Sequence, residues 1–526
     1  MKIDLQLNNG FSWENDSIVW AKGYLYCSEN KLHEGESLLE YFNDVKTKKD
    51  FENKLKRANG FFCVILKQHH KVFAAVDHVR SHPLFYDKKN QWIGDHPNSF
   101  DGVLKKNKLS EKEFKSALFV TGKDTCYKDI FQIQAGHYLI IDEKIVLSNP
   151  YYKYLHSDFY NYSNQKYLNN LNKVVDQSIE RLINFARGNQ IVIPLSGGRD
   201  SRLIALKIKA FGYKNVVCFS YGEPNNSESL VSQAVAKHLG FNWIFINYNE
   251  CINSKYNQSK NINEYIKYSH RGVSLSHVQD FFAVEYLKKK DLVDEKAIFV
   301  AGHSGDFLAG SQLSKELLSG NGGVEAVALE AIKKRYVNFK LNKKEKIILS
   351  EKIKQSLPNV PPEFDSSTLY EYWFLQEHIA KFCVNSMRVY EYFGYRWVLP
   401  LWDLELTEFF RKIEIKHRYK NVLYNRFVDQ LDVELAKRKP ANKKNIYIYK
   451  IYIFAGRIVQ KILNNIGILI KLRLQMSTNL MKLYKIISLF ELIEYVSKGY
   501  RSTNGLLIGA FENAYNLIGR KNNGQQ

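Results

Sequence analysis

The segment that most constrains the fold is Ile191-Val-Ile-Pro-Leu-Ser-Gly-Gly-Arg-Asp-Ser201, in which an apolar run leads straight into a glycine-rich turn. The stretch Gln190–Leu195 predicts a short buried strand, and the spacing within Ser201–Ala210 predicts a helix directly after the turn. A strand, a tight turn and a helix in this order are typical of a fold that contains a parallel sheet.

The turn carries residue types that suit a phosphate group. Gly197 and Gly198 let backbone N–H groups approach phosphate oxygens, and the start of the following helix adds positive potential. The hydroxyls of Ser196 and Ser201 can add further donors. Asp200 would repel a phosphate unless it holds Mg²⁺, so it is most simply a metal ligand. A Ser-Gly-Gly turn alone is equally typical of an ordinary loop, and the Walker pattern GxxxxGK[ST] does not occur at this turn.

Strand and helix patterns alternate around this turn. Strands are predicted at Val216–Ser220 and Trp243–Asn247, with a helix at Glu228–Leu239 between them. Another helix, Tyr167–Phe185, precedes the turn, and a later strand, Ala297–Val300, again runs into a glycine-rich turn. Residues 311–435 are predicted to be mostly helical. The alternation predicts a parallel sheet with helices on its faces.

The first 152 residues consist of short β-branched or aromatic stretches bounded by turn residues, which predict strands. The predicted strands are Ile18–Tyr26, Gly60–Leu66, Val72–Val76 and His137–Ile145. We therefore expect an α/β chain whose N-terminal part is rich in short strands.

Composition excludes several classes of protein. Of 526 residues, 45% are hydrophobic and 14% aromatic, which rules out a disordered chain and allows two to four domains. The six cysteines are scattered without a CxxC pair, which argues against a disulfide scaffold or structural zinc and favours a reducing compartment. The sequence shows no signal-peptide pattern and no run of 18 apolar residues, so we expect a cytoplasmic protein without a spanning helix.

The formal charge of +22 is concentrated near the C-terminus. From Lys437 onward there are 16 lysines and arginines against 3 glutamates. Apolar residues at helical spacing predict a basic amphipathic helix, with Arg457 and Lys461 beside its apolar face; the apolar residues are Phe454, Ile458, Ile462, Ile466 and Leu469. Such a helix can pack on the rest of the protein with its lysines in water, or contact an anionic membrane surface. No nucleic-acid partner is expected, because no recognised binding motif accompanies the charge.

The full SGGxDS string resembles the PP-loop of ATP pyrophosphatases, which cleave ATP to AMP and pyrophosphate. The resemblance extends to the asparagine synthetase family, whose second signature is a strand followed by an SGEGxDExxGG-like turn. Here that turn is Ala301-Gly-His-Ser-Gly-Asp-Phe-Leu-Ala-Gly310. Two acids of the family pattern are replaced, by His303 before the shared aspartate and by Phe307 after it. His303 is either an ordinary turn residue or a substrate contact.

The resemblance implies ATP and Mg²⁺ as cofactors. It implies that Asp200 and Asp306 bind metal and that Asp306 takes part in catalysis. Nucleotide contacts are implied for Leu195, Ser196, Gly197, Gly198, Asp200, Ser201, Ser220 and Gly302.

Two further segments resemble the family. Leu399–Asp403 is similar to its VPFLD segment, but the acid that normally precedes it is missing or displaced to Glu391. A catalytic lysine is expected after Tyr419–Leu423. We favour Lys439, although a lysine in this run is more often surface charge, and three others compete with it: Lys437, Lys443 and Lys444.

The N-terminal part resembles the class II glutamine amidotransferase domain of the same family, which implies an Ntn-type α+β sandwich. Asn59–Phe62, Ala75–Tyr86 and Gln134–Tyr138 carry that resemblance. Glutaminase chemistry in the family needs an N-terminal cysteine. Met1 is followed by lysine and the nearest cysteine is Cys27, so we expect a domain that cannot hydrolyse glutamine.

The expected domains are an inactive amidotransferase-like domain (1–155), a PP-loop synthetase domain (160–440) similar to adenine nucleotide alpha hydrolases, and a basic helical extension (441–526). The resemblance implies an amide-forming ligase that produces AMP and pyrophosphate, adenylates a carboxylate-bearing small molecule, sugar or peptide, and couples it to ammonia or an amine. The alternative is a degenerate homologue that acts as a non-catalytic nucleotide-binding or scaffold protein.

Overall fold

The structure is a computed structural model that describes residues 1–89, 91–142, 145–252, 259–319, 322–361 and 364–432. Nearer the C-terminus it describes residues 468–469, 471–473, 475–476, 486–512 and 514–515.

Eleven strands form two sheets in the N-terminal part of the described chain. They are β1 (Lys2–Asp4), β2 (Trp13–Asn15), β3 (Val19–Tyr26), β4 (Leu32–Glu34), β5 (Asn59–Gln68), β6 (Lys71–Val76), β7 (Phe85–Asp87), β8 (Trp92–Gly94), β9 (Ile130–Gln132), β10 (His137–Asp142) and β11 (Ile145–Pro150). The larger sheet is antiparallel in the order β11-β10-β6-β5-β3-β2, with β4 paired to β3, and the smaller one has the order β1-β8-β7-β9.

The larger sheet is covered on both faces because alternate side chains of its strands are apolar on each face. One face packs on two amphipathic helices, α1 (Glu36–Asn43) and α2 (Lys48–Arg57), through residues such as Phe42 and Phe51. The other face packs on the smaller sheet through residues such as Ile65 and Ile93. The result is three layers: helices, sheet and sheet.

Five strands between residues 191 and 398 form a sheet that is parallel throughout. They are β12 (Ile191–Pro194), β13 (Val216–Gly222), β14 (Asn242–Asn247), β15 (Ile298–Val300) and β16 (Arg396–Val398). Their order is β14-β13-β12-β15-β16. The chain therefore adds strands on one side of β12 and then returns to its other side. Ligands of such sheets bind at the carboxyl ends of the strands where the order reverses, which here is between β12 and β15.

Helices surround this sheet and fill the space between it and the N-terminal layers. They are α3 (Lys108–Ala117), α4 (Asn164–Ala186), α5 (Arg199–Ala210), α6 (Ser227–Leu239), α7 (Tyr248–Cys251), α8 (Lys260–His270), α9 (Phe281–Lys289), α10 (Gly305–Leu308), α11 (Lys315–Leu318), α12 (Gly323–Lys334), α13 (Lys343–Ser356), α14 (Ser366–Phe374), α15 (Arg388–Tyr392), α16 (Leu404–Arg411), α17 (Ile415–Arg418), α18 (Val422–Leu431), α19 (Leu489–Lys498) and α20 (Thr503–Ala510). A π-helical segment, Leu375–Cys383, links α14 to a short 3₁₀ turn, Val384–Met387; π-helical turns often occur at functional sites.

Most of the predicted elements are confirmed, one prediction was wrong, and one strand was not predicted. The stretch His137–Ile145 is not one strand, because β10 ends at Asp142 and pairs with β11 as a hairpin. Strand β16 lies inside the region predicted to be mostly helical. It has three residues, too few to show a periodic pattern, and its pairing with β15 is decided by the sheet.

The C-terminal extension packs on the body of the protein. Helix α20 contacts α3, and the backbone N–H of Arg501 donates to the carbonyl of Asn338 at 2.8 Å. The Tyr515 hydroxyl accepts a hydrogen bond from the backbone of Ser276 at 3.2 Å. Most of the predicted basic amphipathic helix, residues 454–467, lies outside the described residues. Within the described part of the chain, no helix is long and apolar enough to cross a membrane.

Candidate functional site

The turn between β12 and α5 is closed by its own serines. The backbone N–H of Ser196 donates to Ser201 Oγ at 3.1 Å, and the two hydroxyl oxygens lie 3.2 Å apart. The backbone N–H of Gly198 donates to Ser196 Oγ at 3.1 Å. These hydroxyl and amide donors therefore converge at the carboxyl end of β12.

Two acids meet at this edge of the sheet. Asp200 lies in the first turn of α5, and Asp306 lies in α10, just beyond the carboxyl end of β15. The backbone N–H of Asp306 donates to Asp200 Oδ2 at 3.4 Å, and the Ser311 hydroxyl donates to Asp306 Oδ2 at 2.9 Å. Burial, with repulsion from Asp306 as the second cause, raises the pKa of Asp200 to about 7. The site thus holds a carboxylate that is costly to ionise.

Glycines allow the two turns to approach each other. A Cβ atom at Gly302 would lie 2.5 Å from the backbone nitrogen of Ser201. A Cβ atom at Gly305 would lie 2.6 Å from the hydroxyl of Tyr424 and 3.0 Å from Asp200 Oδ1. All three distances are shorter than normal contacts of a Cβ atom, so only glycine fits at either position without a shift of its neighbours.

Tyr424 is a site residue that sequence reasoning missed. It is buried in α18, and its hydroxyl donates to Asp200 Oδ1 at 2.7 Å. Burial and the two nearby carboxylates raise the pKa of Tyr424, so it is a neutral donor at physiological pH. A tyrosine 224 positions from its partner gives no local sequence signal.

The structure brings together most of the sequence-predicted site residues. Leu195 is buried at the end of β12, and its backbone N–H donates to the carbonyl of Phe219 at 2.9 Å. This contact joins the turn to β13, which also holds the buried Ser220. Lys439 and its three competitors lie outside the described residues.

The two replaced family acids have different environments. Phe307 is buried and stacks on Phe374 and Trp402, so it is part of the core. His303 faces a cavity beside the site, and its Nε2 lies 2.9 Å from Ser386 Oγ. Burial lowers the pKa of His303 to about 4, so its imidazole is neutral.

Glu391, the candidate for the displaced family acid, is buried among partners that hold the N-terminal layers against the parallel sheet. Its carboxylate accepts from Arg388 at 2.6 Å, from Trp397 at 2.8 Å and from Tyr268 at 3.1 Å. Arg388 in turn donates to the carbonyl of Ser81 at 2.7 Å. These bonds give Glu391 a structural role.

The donor set at Asp200 and Asp306 fits Mg²⁺ and does not fit a metal held by protein ligands alone. Mg²⁺ is usually bound by one or two carboxylates together with phosphate oxygens and water. In the described part of the chain, no group of three or more His, Cys, Asp or Glu residues could hold a metal ion. Two adjacent carboxylates beside a turn rich in hydroxyl and amide donors suit a cation that arrives with a nucleotide.

Comparison with known proteins gives slight likenesses only. No protein-family model matches the chain, and no curated protein matches it. Among solved structures, the chain is similar to an NH3-dependent NAD synthetase from Campylobacter jejuni in complex with the nitrate ion, at 15% identity and a TM-score of 0.22, over 38% of this chain and 100% of that one.

Two other solved structures show comparable likeness. NMN synthetase from Francisella tularensis is 14% identical, with a TM-score of 0.20, over 54% of this chain and 100% of that one. Glutamine phosphoribosylpyrophosphate amidotransferase from B. subtilis, complexed with ADP and GMP, is 11% identical, with a TM-score of 0.19, over 65% of this chain and 74% of that one. Likeness at this level supports no statement about activity.

Proposed function

We propose that the protein is an ATP-dependent, amide-forming ligase of the asparagine synthetase kind, which produces AMP and pyrophosphate. One observation carries the proposal: the serine- and glycine-rich turn after β12 meets the Asp306 turn after β15, and Asp200 and Asp306 lie side by side between them. This is the position at which open parallel sheets bind ligands.

The proposed reaction has two steps. A substrate carboxylate oxygen attacks the α-phosphorus of ATP, the bond to the β-phosphate oxygen breaks, and pyrophosphate leaves. The nitrogen of ammonia or an amine then attacks the carbonyl carbon of the acyl-adenylate and loses a proton, and AMP leaves. The products are an amide, AMP and pyrophosphate.

The residues at the strand ends have distinct proposed roles. The hydroxyls of Ser196 and Ser201 and the backbone N–H groups of Gly197 and Gly198 bind phosphate oxygens. The carboxylates of Asp200 and Asp306 would hold Mg²⁺, which offsets the negative charge of the pyrophosphate group. Tyr424 keeps Asp200 oriented toward that position through its 2.7 Å hydrogen bond.

We further propose that the N-terminal layers do not hydrolyse glutamine. Cleavage that exposed Cys27 as a terminal residue would remove β1, β2 and β3. Strand β3 lies between β2 and β5 in the larger sheet, and Val19, Ala21 and Leu25 are fully buried there. Removal of an interior strand would open both packed faces of that sheet, so Cys27 is a poor candidate for the nucleophile.

The direct test is pyrophosphate exchange with ATP across a panel of carboxylates, which includes amino acids and sugar acids. We expect exchange that depends on one class of carboxylate and is lost in Asp200→Ala. The matched control is Asp291→Asn, at an exposed position in another loop. Ammonia release from glutamine by the pure protein would contradict the second part of the proposal.

Thermal unfolding with ATP and Mg²⁺ separates the ligase from the alternative of a non-catalytic protein. A ligand at 100 times its Kd stabilises the folded state by about 2.7 kcal/mol. No stabilisation at saturating nucleotide would favour a scaffold. Stabilisation without pyrophosphate release for any carboxylate would favour a nucleotide-binding module.

We also propose that the basic C-terminal segment contacts an anionic membrane surface. Exposed apolar side chains on α19 support this, because Phe490 is 85% exposed and Leu489 and Ile493 lie beside it. We expect co-sedimentation with phosphatidylglycerol vesicles that Phe490→Ser weakens and that neutralisation of Lys471 and Arg473 also weakens. If all variants sediment with the vesicles as the wild type does, the membrane contact is refuted. Pyrophosphate release should be unchanged in each variant, because none of these residues belongs to the proposed reaction centre.

A further inference from the structure

A small cavity lies beside the turn that carries Asp306, and the C-terminal extension forms part of its wall. Its volume is about 260 Å³. Its wall is built from the loop 275–279, the turn residue His303, the end of the π-helical segment and helix α20. From α20 it receives Asn504 and Leu507. The extension is therefore a structural part of this cavity.

The cavity borders the proposed reaction centre. His303 belongs to the same turn as Gly302 and Asp306, and Cys383 also lines the cavity. Burial, with the Asp306 carboxylate acting in the same direction, raises the pKa of the Cys383 thiol to about 12. A substrate whose carboxylate reaches the α-phosphorus of ATP at this centre can therefore place the rest of its structure in this cavity.

The lining is polar, and its histidine His277 lies 3.5 Å from Asp280, so this carboxylate offsets any positive charge on that imidazole. None of the described residues that line it is a lysine or an arginine. The Ser386 hydroxyl donates to the carbonyl of Cys383, so it accepts from Nε2–H of the neutral His303, whose Nδ1 is left as an acceptor. Behind the wall, Asp280 accepts from Tyr390 at 3.1 Å and lies 3.5 Å from His277.

Asn504 is the residue best placed to recognise a ligand from the side of the extension. Its side-chain amide has no hydrogen-bond partner among the residues that the structure describes. An amide can donate and accept at once, as a sugar hydroxyl can. Phe382 and Leu507 add apolar surface to the same wall, which suits the C–H face of a sugar ring.

We propose that this cavity binds the uncharged, hydroxylated part of the carboxylate substrate, that the substrate is a sugar acid, and that the C-terminal extension contributes to this specificity through Asn504. The inference rests on the ligase function proposed above. An amino acid with two carboxylates fits less well, because the second carboxylate would be buried without a lysine or an arginine beside it.

The test measures binding without turnover. The probe is galacturonamide, in which a carboxamide replaces the reactive carboxylate, and the nucleotide is α,β-methylene ATP with Mg²⁺. Isothermal titration of the full chain gives the Kd of the probe, and L-asparagine serves as a smaller, zwitterionic amide that carries an α-carboxylate. We expect the uronamide to bind and L-asparagine not to bind.

Variants of α20 test the site itself. Asn504→Ala should raise the Kd of the uronamide about tenfold, as expected for the loss of one to two hydrogen bonds. Leu507→Trp should fill the cavity and abolish uronamide binding. The matched control, Thr503→Ala, changes the neighbouring residue of the same helix outside the lining and should bind like the wild type.

The outcomes are distinguishable. If α,β-methylene ATP does not stabilise the wild type, the ligase function fails. If the nucleotide binds but Asn504→Ala and Leu507→Trp bind the uronamide like the wild type, the cavity is not the subsite. If L-asparagine binds and the uronamide does not, the substrate class is wrong. Should Leu507→Trp fail to fold, Asn504→Ala and Thr503→Ala still decide the question.

Discussion

Replacement of Asp200 by asparagine should stabilise the nucleotide-free protein while it abolishes nucleotide-dependent stabilisation. The folded protein places the Asp200 carboxylate beside Asp306, and burial together with this repulsion raises its pKa from 3.8 to about 7. Asparagine has the same shape, carries no charge and can still accept the hydrogen bond from Tyr424. Asp200→Asn therefore removes an electrostatic cost but also removes one of the two proposed Mg²⁺ ligands.

The magnitude follows from the difference between the two pKa values. The unfolded chain loses the Asp200 proton near pH 4 and the folded protein loses it near pH 7, so stability falls as the pH rises between these values. At about 1.4 kcal/mol per pKa unit, the full cost at pH 8 is roughly 4 kcal/mol. Asp200 remains partly accessible to solvent, and the solvent screens the repulsion. We therefore expect the free energy of unfolding of Asp200→Asn to exceed that of the wild type by about 2 to 4 kcal/mol at pH 8 and by about 1 kcal/mol at pH 5.

The assay is thermal unfolding in EDTA at pH 5 and pH 8, with Asp291→Asn as the control. We expect the midpoint of Asp200→Asn to exceed that of the wild type by roughly 5 °C at pH 8 and by much less at pH 5. Added ATP and Mg²⁺ should stabilise the wild type and the control but not Asp200→Asn. An Asp200→Asn protein that is no more stable than the wild type at pH 8 would refute the reasoning.

Three further changes test the geometry around the acid pair. Tyr424→Phe removes the hydrogen bond that favours ionised Asp200, so the pH midpoint for binding of ATP with Mg²⁺ should rise by about one unit, as measured by titration calorimetry. Gly302→Ala places a methyl group 2.5 Å from the backbone nitrogen of Ser201. The affinity for nucleotide should fall at least about tenfold, and the free energy of unfolding should fall by about 1 to 3 kcal/mol. Phe307→Glu introduces the acid found at this position in the asparagine synthetase pattern that the sequence resembles, but it buries an unpaired carboxylate. The free energy of unfolding, measured with urea, should therefore fall by about 3 kcal/mol or more.

For each of these three substitutions, one outcome would contradict the prediction. An unchanged pH midpoint in Tyr424→Phe, with the distant Tyr41→Phe as control, would mean that the hydroxyl does not act on the acid. Wild-type affinity in Gly302→Ala would mean that the two turns are not in close contact. Phe490→Glu, at an exposed position, should be neutral; an equally neutral Phe307→Glu would mean that this ring is not part of the core.

The sequence predicted the elements whose signals are local. Strand β12, helix α5 and the turn between them follow from one continuous stretch, because apolar runs, glycines and helical spacing act within a few residues. The later strand β15 and its glycine-rich turn were found in the same way. Strand β16 was missed because three residues carry no periodicity, and the pairing of β10 with β11 was missed because only two residues separate these strands.

The sequence by itself determined which residues are candidates for binding phosphate and metal, because residue type and local spacing decide that chemistry. The tertiary structure decided how these residues meet. The reversal of strand order between β12 and β15 brings Asp200 to Asp306, and α18 adds Tyr424 from a distant part of the chain. The same holds for the extension: sequence marked it as basic, but only packing brings Asn504 to the cavity beside the acid pair. Contacts between distant residues depend on the shape of the folded core, and no short stretch of sequence encodes that shape.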